Sequence, residues 1–270
     1  MTTQTDTLEF SLEEIRKDTS VCKEYLKSMP KNKSLQQVID YVHSICPQLK
    51  EEVEAKKATF NSSKKKDKGN LGKIVEFFIF GQLPNCYPTP DLPWGADIKT
   101  THFKSVYNNK GFSAKERLTI TNCGKTGDYT TFVPIQFATD LKSCKFYPKI
   151  QNGVLFVFEH NDDAGTYNDP AVNFQKRLLA TCTYNINELH TDIQTQLQAD
   201  FQDIQQKIAN QEVSQKGQKY LHIHPHGSKN TTTRAFGFTN KFLTTLVACT
   251  NNLPLTIKGR SVYIEKQHFN

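Results

Sequence analysis

The chain lacks the marks of several large classes. No apolar run approaches the length of a membrane span, which excludes an α-helical membrane protein by composition. No CxxC pair occurs among the seven cysteines (22, 46, 86, 123, 144, 182 and 249), so neither a zinc ribbon nor a thioredoxin-type site has support. Their odd number and wide scatter fit reduced thiols in an intracellular protein. There is no GxSxG, Walker or Rossmann glycine pattern, which removes the serine-hydrolase, P-loop and dinucleotide readings. The polar stretch 1–9 has no signal-peptide core, and the expected location is the cytoplasm. No internal repeat is visible.

What is present suits one large domain or two closely joined halves. The 270 residues are 37% hydrophobic and 11% aromatic, enough to build a core. The net charge of +7 favours an anionic partner, with nucleic acid the first guess; a modestly basic soluble protein is the plainer alternative.

The pattern predicts helices over 11–27 (Ser11 and Glu14 forming a capping box), 34–46, 48–58 and 71–80, the last stopped by Gly81. The polar run 61–70 is expected to be a linker that also touches DNA. Strand-like runs fall at 117–121, 132–137, 153–159, 178–186 and 219–224. The clearest helix is 188–211, with Leu189, Ile193, Leu197, Phe201, Ile204 and Ile208 on one face, a core stripe with no chemistry assigned to it. A polar loop is expected at 228–234, an amphipathic segment at 240–249, and a hairpin through Lys258-Gly259. Strands mixed with helices predict an α/β or α+β chain with a mixed central sheet.

The most informative stretch is Pro90-Asp91-Leu92-Pro93-Trp94-Gly95-Ala96-Asp97-Ile98-Lys99. If 97–99 is extended, Asp97 and Lys99 point to one side. Pro93 and Gly95 make a bend that can fold Asp91 back beside Asp97. Two acids with a cation alongside are the outline of a divalent-metal hydrolysis site, with the acids holding Mg²⁺ and the lysine stabilising charge or orienting water. A surface hairpin carrying a salt bridge fits the same letters. Glu76, inside the apolar run 74–80, has two readings as well: it lies on the helix's exposed stripe, or it faces the acids at 91 and 97. One of Lys142, Lys145 and Lys149, which precede the strand at 153, can approach a phosphate in the site; solvated lysines are the alternative.

His222, His224 and His226 alternate as metal ligands on a strand would, but Pro225 interrupts that geometry. The stretch 219–234 better suits a polar loop that reads nucleic acid, offering Tyr220, the three histidines, Lys229 and Arg234 to phosphates or base edges. A solvated surface loop is the commoner fate of such composition.

Several blocks, in order, resemble the MutH-type DNA endonucleases, the family of the mismatch-repair nicking enzyme and of related GATC-cutting type II restriction endonucleases. They are Lys68-Gly69-Asn70-Leu71-Gly72-Lys73-Ile74-Val75-Glu76, the 90–100 element, Glu116–Ile120, Leu197–Ile204, Tyr220–His226 and Arg234–Phe242. The resemblance spans roughly 68–250. It implies a restriction-endonuclease-like core with a mixed central β-sheet flanked by helices, and two lobes around a DNA cleft. The helices read above make 1–66 a helical region, an arm against DNA, a dimer surface or simple packing, and the resemblance makes 67–270 the endonuclease core. Asp91 and Asp97 would be the Mg²⁺ ligands, Lys99 the catalytic lysine and Glu76 an accessory acid. Tyr220, His222, His224, His226, Lys229, Arg234 and Lys241 would meet double-stranded DNA. The implied product is a 5′-phosphate and a 3′-hydroxyl, with GATC the expected site; a strand-nicking enzyme or a DNA binder with a dead core are the alternatives. Monomer and homodimer both stay open. The chain departs from the family where Asp97 replaces the Glu of the mismatch-repair member, after a span one residue shorter. It departs again at His224, commonly Arg, and at Gly237, a tyrosine there. His lacks the guanidinium fork for guanine, so the chemistry carries over better than the GATC specificity.

Overall fold

A computed structural model describes residues 9–60, 69–85, 87, 89–160, 170–213, 216–227 and 230–269. The basic run at 61–68, expected to be a linker, and Lys229, expected at DNA, lie outside them.

The expected first helix is two: α1 (Leu12–Lys17) and α2 (Thr19–Ser28). Asp18 breaks it. Its backbone is extended, and its carboxylate accepts from Ser20 N at 2.6 Å and Val21 N at 3.1 Å, so it caps α2 instead of continuing α1. α3 (Leu35–Ile45) opens with a full capping box, Ser34 with Gln37. α4 (Pro47–Lys56) starts on a proline, whose missing N–H costs nothing there. α5 (Asn70–Phe80) ends at Gly81 as expected.

The chain then builds β1 (Ala96–Val106), β2 (Gly111–Ala114) and β3 (Leu118–Lys125). The apolar run 132–137 is not a strand. It is the end of a 3₁₀ turn at Tyr129–Phe132 followed by α6 (Val133–Gln136), because Asp128 caps Thr130 N and Pro134 favours a first helical turn. Next come α7 (Pro148–Gln151), β4 (Asn152–Glu159), α8 (Pro170–Phe174), β5 (Leu178–Asn185) and α9 (Thr191–Ala209). β6 (Leu221–Pro225), β7 (Thr233–Phe238), α10 (Asn240–Thr250), β8 (Leu255–Lys258) and β9 (Ser261–Glu265) complete it. The expected loop at 228–234 therefore runs into a strand, β7, that its polar start conceals.

The protein is α/β, with a mixed six-stranded sheet flanked by helices, in the order β5-β4-β1-β2-β9-β8. β1 and β4 run parallel, with Asp97 opposite Gly153; the other pairs are antiparallel. A second, antiparallel sheet has the order β3-β7-β6. Two apolar clusters lie on either side of the large sheet. One joins α1–α5 to Ile98, Val154, Phe156 and Phe158, so the helices of the 1–66 region share a core with the sheet. The other joins Phe103, Leu155 and Val157 to α9, α10 and the small sheet. Arg16 ties the first cluster together: its guanidinium pairs with Glu52 at 3.0 Å and donates to the carbonyl of Phe80, the last residue of α5. No helix among the described residues is long and apolar enough to cross a membrane.

Candidate active site

The turn before β1 forms as its letters suggest. Gly95 takes a left-handed φ of +91°, which a side chain would oppose. Gly95 N donates to Leu92 O at 2.8 Å, and Leu92 N to Ala96 O at 2.9 Å. This folds Asp91 back until its Oδ2 accepts from Ile98 N at 2.8 Å. Asp97, only 1% exposed, is the second residue of the strand. Lys99, two residues on and on the same face, brings Nζ to 2.9 Å from Asp97 Oδ2.

A second lysine completes the grip. Lys149 Nζ donates to Asp97 Oδ1 at 2.9 Å. It arrives from α7, which leads directly into β4, the parallel neighbour of β1. Of the three lysines noted in the sequence, Lys142 and Lys145 are exposed and Lys149 is the one that reaches the acids. Asp97 Oδ2, although beside Lys99, receives no aligned hydrogen bond, so one oxygen of a buried carboxylate keeps accepting capacity.

Glu76 comes from α5, on the other face of the sheet. Burial, then the negative charges of Asp91 and Asp97, push its carboxyl up to about 7, with Lys99 and Lys73 opposing. Glu76 is half-buried, neither fully exposed nor fully enclosed. Asp91 is also pushed up, chiefly by burial, with Lys99 opposing and Asp97 adding to the rise. Three carboxyls thus lie within electrostatic reach of one another, with two lysines among them.

A cleft of about 1310 Å³ begins next to this cluster, at Thr100 and Thr101 of β1. Lys115, Arg117 and Thr119 form one wall and His222, His224 and His226 another. His222 and His224 alternate with Leu221 and Ile223, which face the core, so β6 presents these two imidazoles to the cleft, with His226 just past its end. Burial first, then Arg117, holds His222 down to about 4. His224 lies at about 3, through burial, then His222 and Arg117. Both rings are neutral at physiological pH. The His224 ring crosses over Gly237 of the middle strand and shares a 2.9 Å hydrogen bond with Thr119 Oγ1 on β3. A Cβ at position 237 would lie 2.4 Å from His224 Cε1, so only glycine admits this ring there.

The remaining expected DNA contacts are scattered. Tyr220 packs its ring on Phe242, 5.3 Å between centroids. Arg234 is turned inward, 9% exposed, and donates to Thr231 O and Thr233 O, bracing the β6–β7 turn. Lys241 lies outside the cleft, on the first turn of α10. A residue with no role assigned from sequence, Asp200 of α9, anchors the start of β6. Its buried carboxylate accepts from the backbone N–H groups of Lys219, Tyr220 and Leu221 at 3.0, 2.6 and 2.9 Å. An acid on the Leu197–Ile208 stripe is a signal that could have found it.

Among the described residues, no group of three His, Cys, Asp or Glu side chains forms a ready-made metal cage. The donors at hand, two carboxylates with an under-used oxygen on Asp97, are hard oxygen ligands. They fit Mg²⁺, which binds through one or two carboxylates and takes its other ligands from water and phosphate. No family model matches the chain, and no curated protein matches it.

Proposed function

We propose that the chain is a Mg²⁺-dependent endonuclease of double-stranded DNA, a type II restriction enzyme of MutH type. In this reading the mixed sheet with its flanking helices is a restriction-endonuclease-like core, and the small sheet with α9 and α10 is the second lobe around a DNA cleft. The observation that carries it is Asp97: a buried carboxylate held at 2.9 Å by two lysines from different elements, with Asp91 and Glu76 in electrostatic range. Burying that many charges is costly for stability alone. Such an arrangement suits a reaction in which charge moves.

Asp91 and Asp97 would hold the ion, which supplies Lewis-acid activation of water and phosphate. Lys99 and Lys149 supply fixed positive charge where the phosphoryl oxygens gain negative charge in the transition state. Ile98 N–H fixes the orientation of Asp91. Glu76, near half-ionised at neutral pH, is able to accept a proton from water or return one to the leaving oxygen. Attack of water on phosphorus with loss of the 3′ oxygen leaves a 5′-phosphate and a 3′-hydroxyl. The neutral imidazoles of β6 offer donors and acceptors to base edges, and Lys115 and Arg117 offer charge to phosphates. Cleavage at a short site follows, with GATC the first to try and strand nicking in mismatch repair the alternative outcome.

The test is plasmid cleavage with Mg²⁺ by the wild type, Asp97→Ala and Lys99→Ala, on methylated and unmethylated DNA, with sequencing of the cut ends. Product from the wild type alone, with duplex binding kept in both variants, is expected. Full cleavage by both variants would refute the assignment. One observation favours a second reading, a DNA binder without hydrolysis: both oxygens of Asp97 already have a lysine within 2.9 Å. A binder yields no Mg²⁺-dependent product at any metal concentration.

A further inference from the structure

We propose a phosphate-binding pocket, separate from the histidine-lined cleft, between the first turn of α10 and the β8–β9 hairpin. It is a recess of about 110 Å³ whose lining includes Lys241, Arg260, Ser113 and Ser261. No carboxylate lines it. Among the described residues, neither cation has an acid within 4.0 Å, and neither serine hydroxyl has a hydrogen-bond partner.

The rest of the pocket is fixed. Thr244 Oγ1 accepts from Ala114 N at 3.0 Å and donates to Asn240 O at 2.9 Å, locking α10 to β2. Phe242 N is capped by Thr239 and Lys241 N is taken by Asn240 Oδ1, so these two first-turn amides are already used. An anion would therefore be held by side chains: a point charge, a planar fork and two hydroxyls, helped by the positive end of an eleven-residue helix. That set of donors matches the several oxygens of a phosphate.

Its place identifies the source of the phosphate. Asn240 lines both this pocket and the cleft, so the two are continuous along one residue. A duplex leaving the cleft would lay a backbone phosphate here, beyond the base-reading strand. This step rests on the nuclease reading, and it adds a contact that carries no sequence information.

Two measurements on the full chain decide it. The first is duplex binding by fluorescence anisotropy in EDTA across a salt series. Lys241→Ala with Arg260→Ala is expected to weaken binding about tenfold at moderate salt and to make the slope of log K against log salt shallower by about 1. Lys241→Arg with Arg260→Lys should restore both, which a folding defect would not allow. The second is titration with inorganic phosphate, followed through the backbone amide resonances of Ser113, Lys241 and Ser261, which should shift in the wild type and not in the alanine double variant. Phosphate-induced shifts with an unchanged salt slope would mean an adventitious ion only and would overturn the proposal; so would absent shifts. A wild type that ignores duplex overturns the nuclease reading instead, and the phosphate titration then still decides the pocket.

Discussion

The start of β1 and the strand β6 bury polar side chains in opposite electrical states. At β1, Asp91, Asp97 and Glu76 crowd together and are balanced by Lys99 and Lys149. On β6, His222 and His224 are held neutral, with values of about 4 and 3. The first arrangement keeps charge in a low-dielectric place, which costs desolvation and strengthens every interaction with a developing charge. The second keeps only hydrogen-bonding capacity, which suits the discrimination of neutral base edges. Under the proposed nuclease reading, breaking a phosphodiester and reading a sequence make different demands, and the two strands differ in the matching sense.

The largest effects should come from breaking the charged end. Asp97→Asn keeps the shape and removes the charge; single-turnover cleavage is expected to fall by about 10³-fold. Lys149→Met should cost about 10²-fold, while Lys142→Met and Lys145→Met, at exposed neighbours, should cut like the wild type. Equal rates for all three lysine variants would reduce Lys149 to a structural counter-ion. At β6, Asp200→Ala strands three backbone amides at the start of the strand, and urea unfolding should show a loss of about 3 kcal/mol. A loss below about 1 kcal/mol would mean that water replaces the carboxylate. Gly237→Ala comes next, at about 1–3 kcal/mol, since its methyl would stand 2.4 Å from His224 Cε1. Adding His224→Ala should recover part of that loss, because the methyl would also stand 2.8 Å from the backbone oxygen of Leu118; strict additivity would show that the ring is not what the methyl meets.

The contrast between the two strands was only half legible in the letters. Pro93, Gly95 and the Asp97-x-Lys99 spacing are local, and a turn into an extended segment dictates both the return of Asp91 and the common face of Asp97 and Lys99. Lys149 was one of three equivalent lysines, because its selection depends on the parallel pairing of β1 with β4, fifty residues apart in the chain. Asp200 acts on backbone amides about twenty residues away, which no spacing announces. β7 was hidden by its polar approach, and as the middle strand it is buried on both faces, so it carries no polar alternation to announce it. The run at 132–137 failed the other way: its apolar letters read as a strand, while Asp128 and Pro134 turn the backbone into a helix. His224 was visible as a departure from Arg, but its dependence on Gly237 lies across two strands.

The smallest effect is the sharpest comparison, because the two strands should give stability slopes of opposite sign with pH. Glu76 binds its proton more tightly in the folded protein, at about 7 against an ordinary 4.5. Between those values the unfolded chain has lost the proton and the native state retains it, so this group's contribution is full below pH 4.5 and falls as pH rises through 7. His222 and His224 do the reverse. Their folded values of about 4 and 3 lie below the ordinary 6.5, so the unfolded chain takes up protons first on acidification, and stability falls as pH drops below 6.5. His102 on β1, held at about 3 by burial and then by Lys176, adds to that acid-side slope. Urea midpoints of the metal-free protein from pH 4.5 to 8 should therefore show the neutral-side decline lost in Glu76→Gln and the acid-side decline reduced in His222→Asn with His224→Asn. An unchanged profile in Glu76→Gln would place that carboxyl in water, away from the acids of β1, and would dissolve the contrast between the strands.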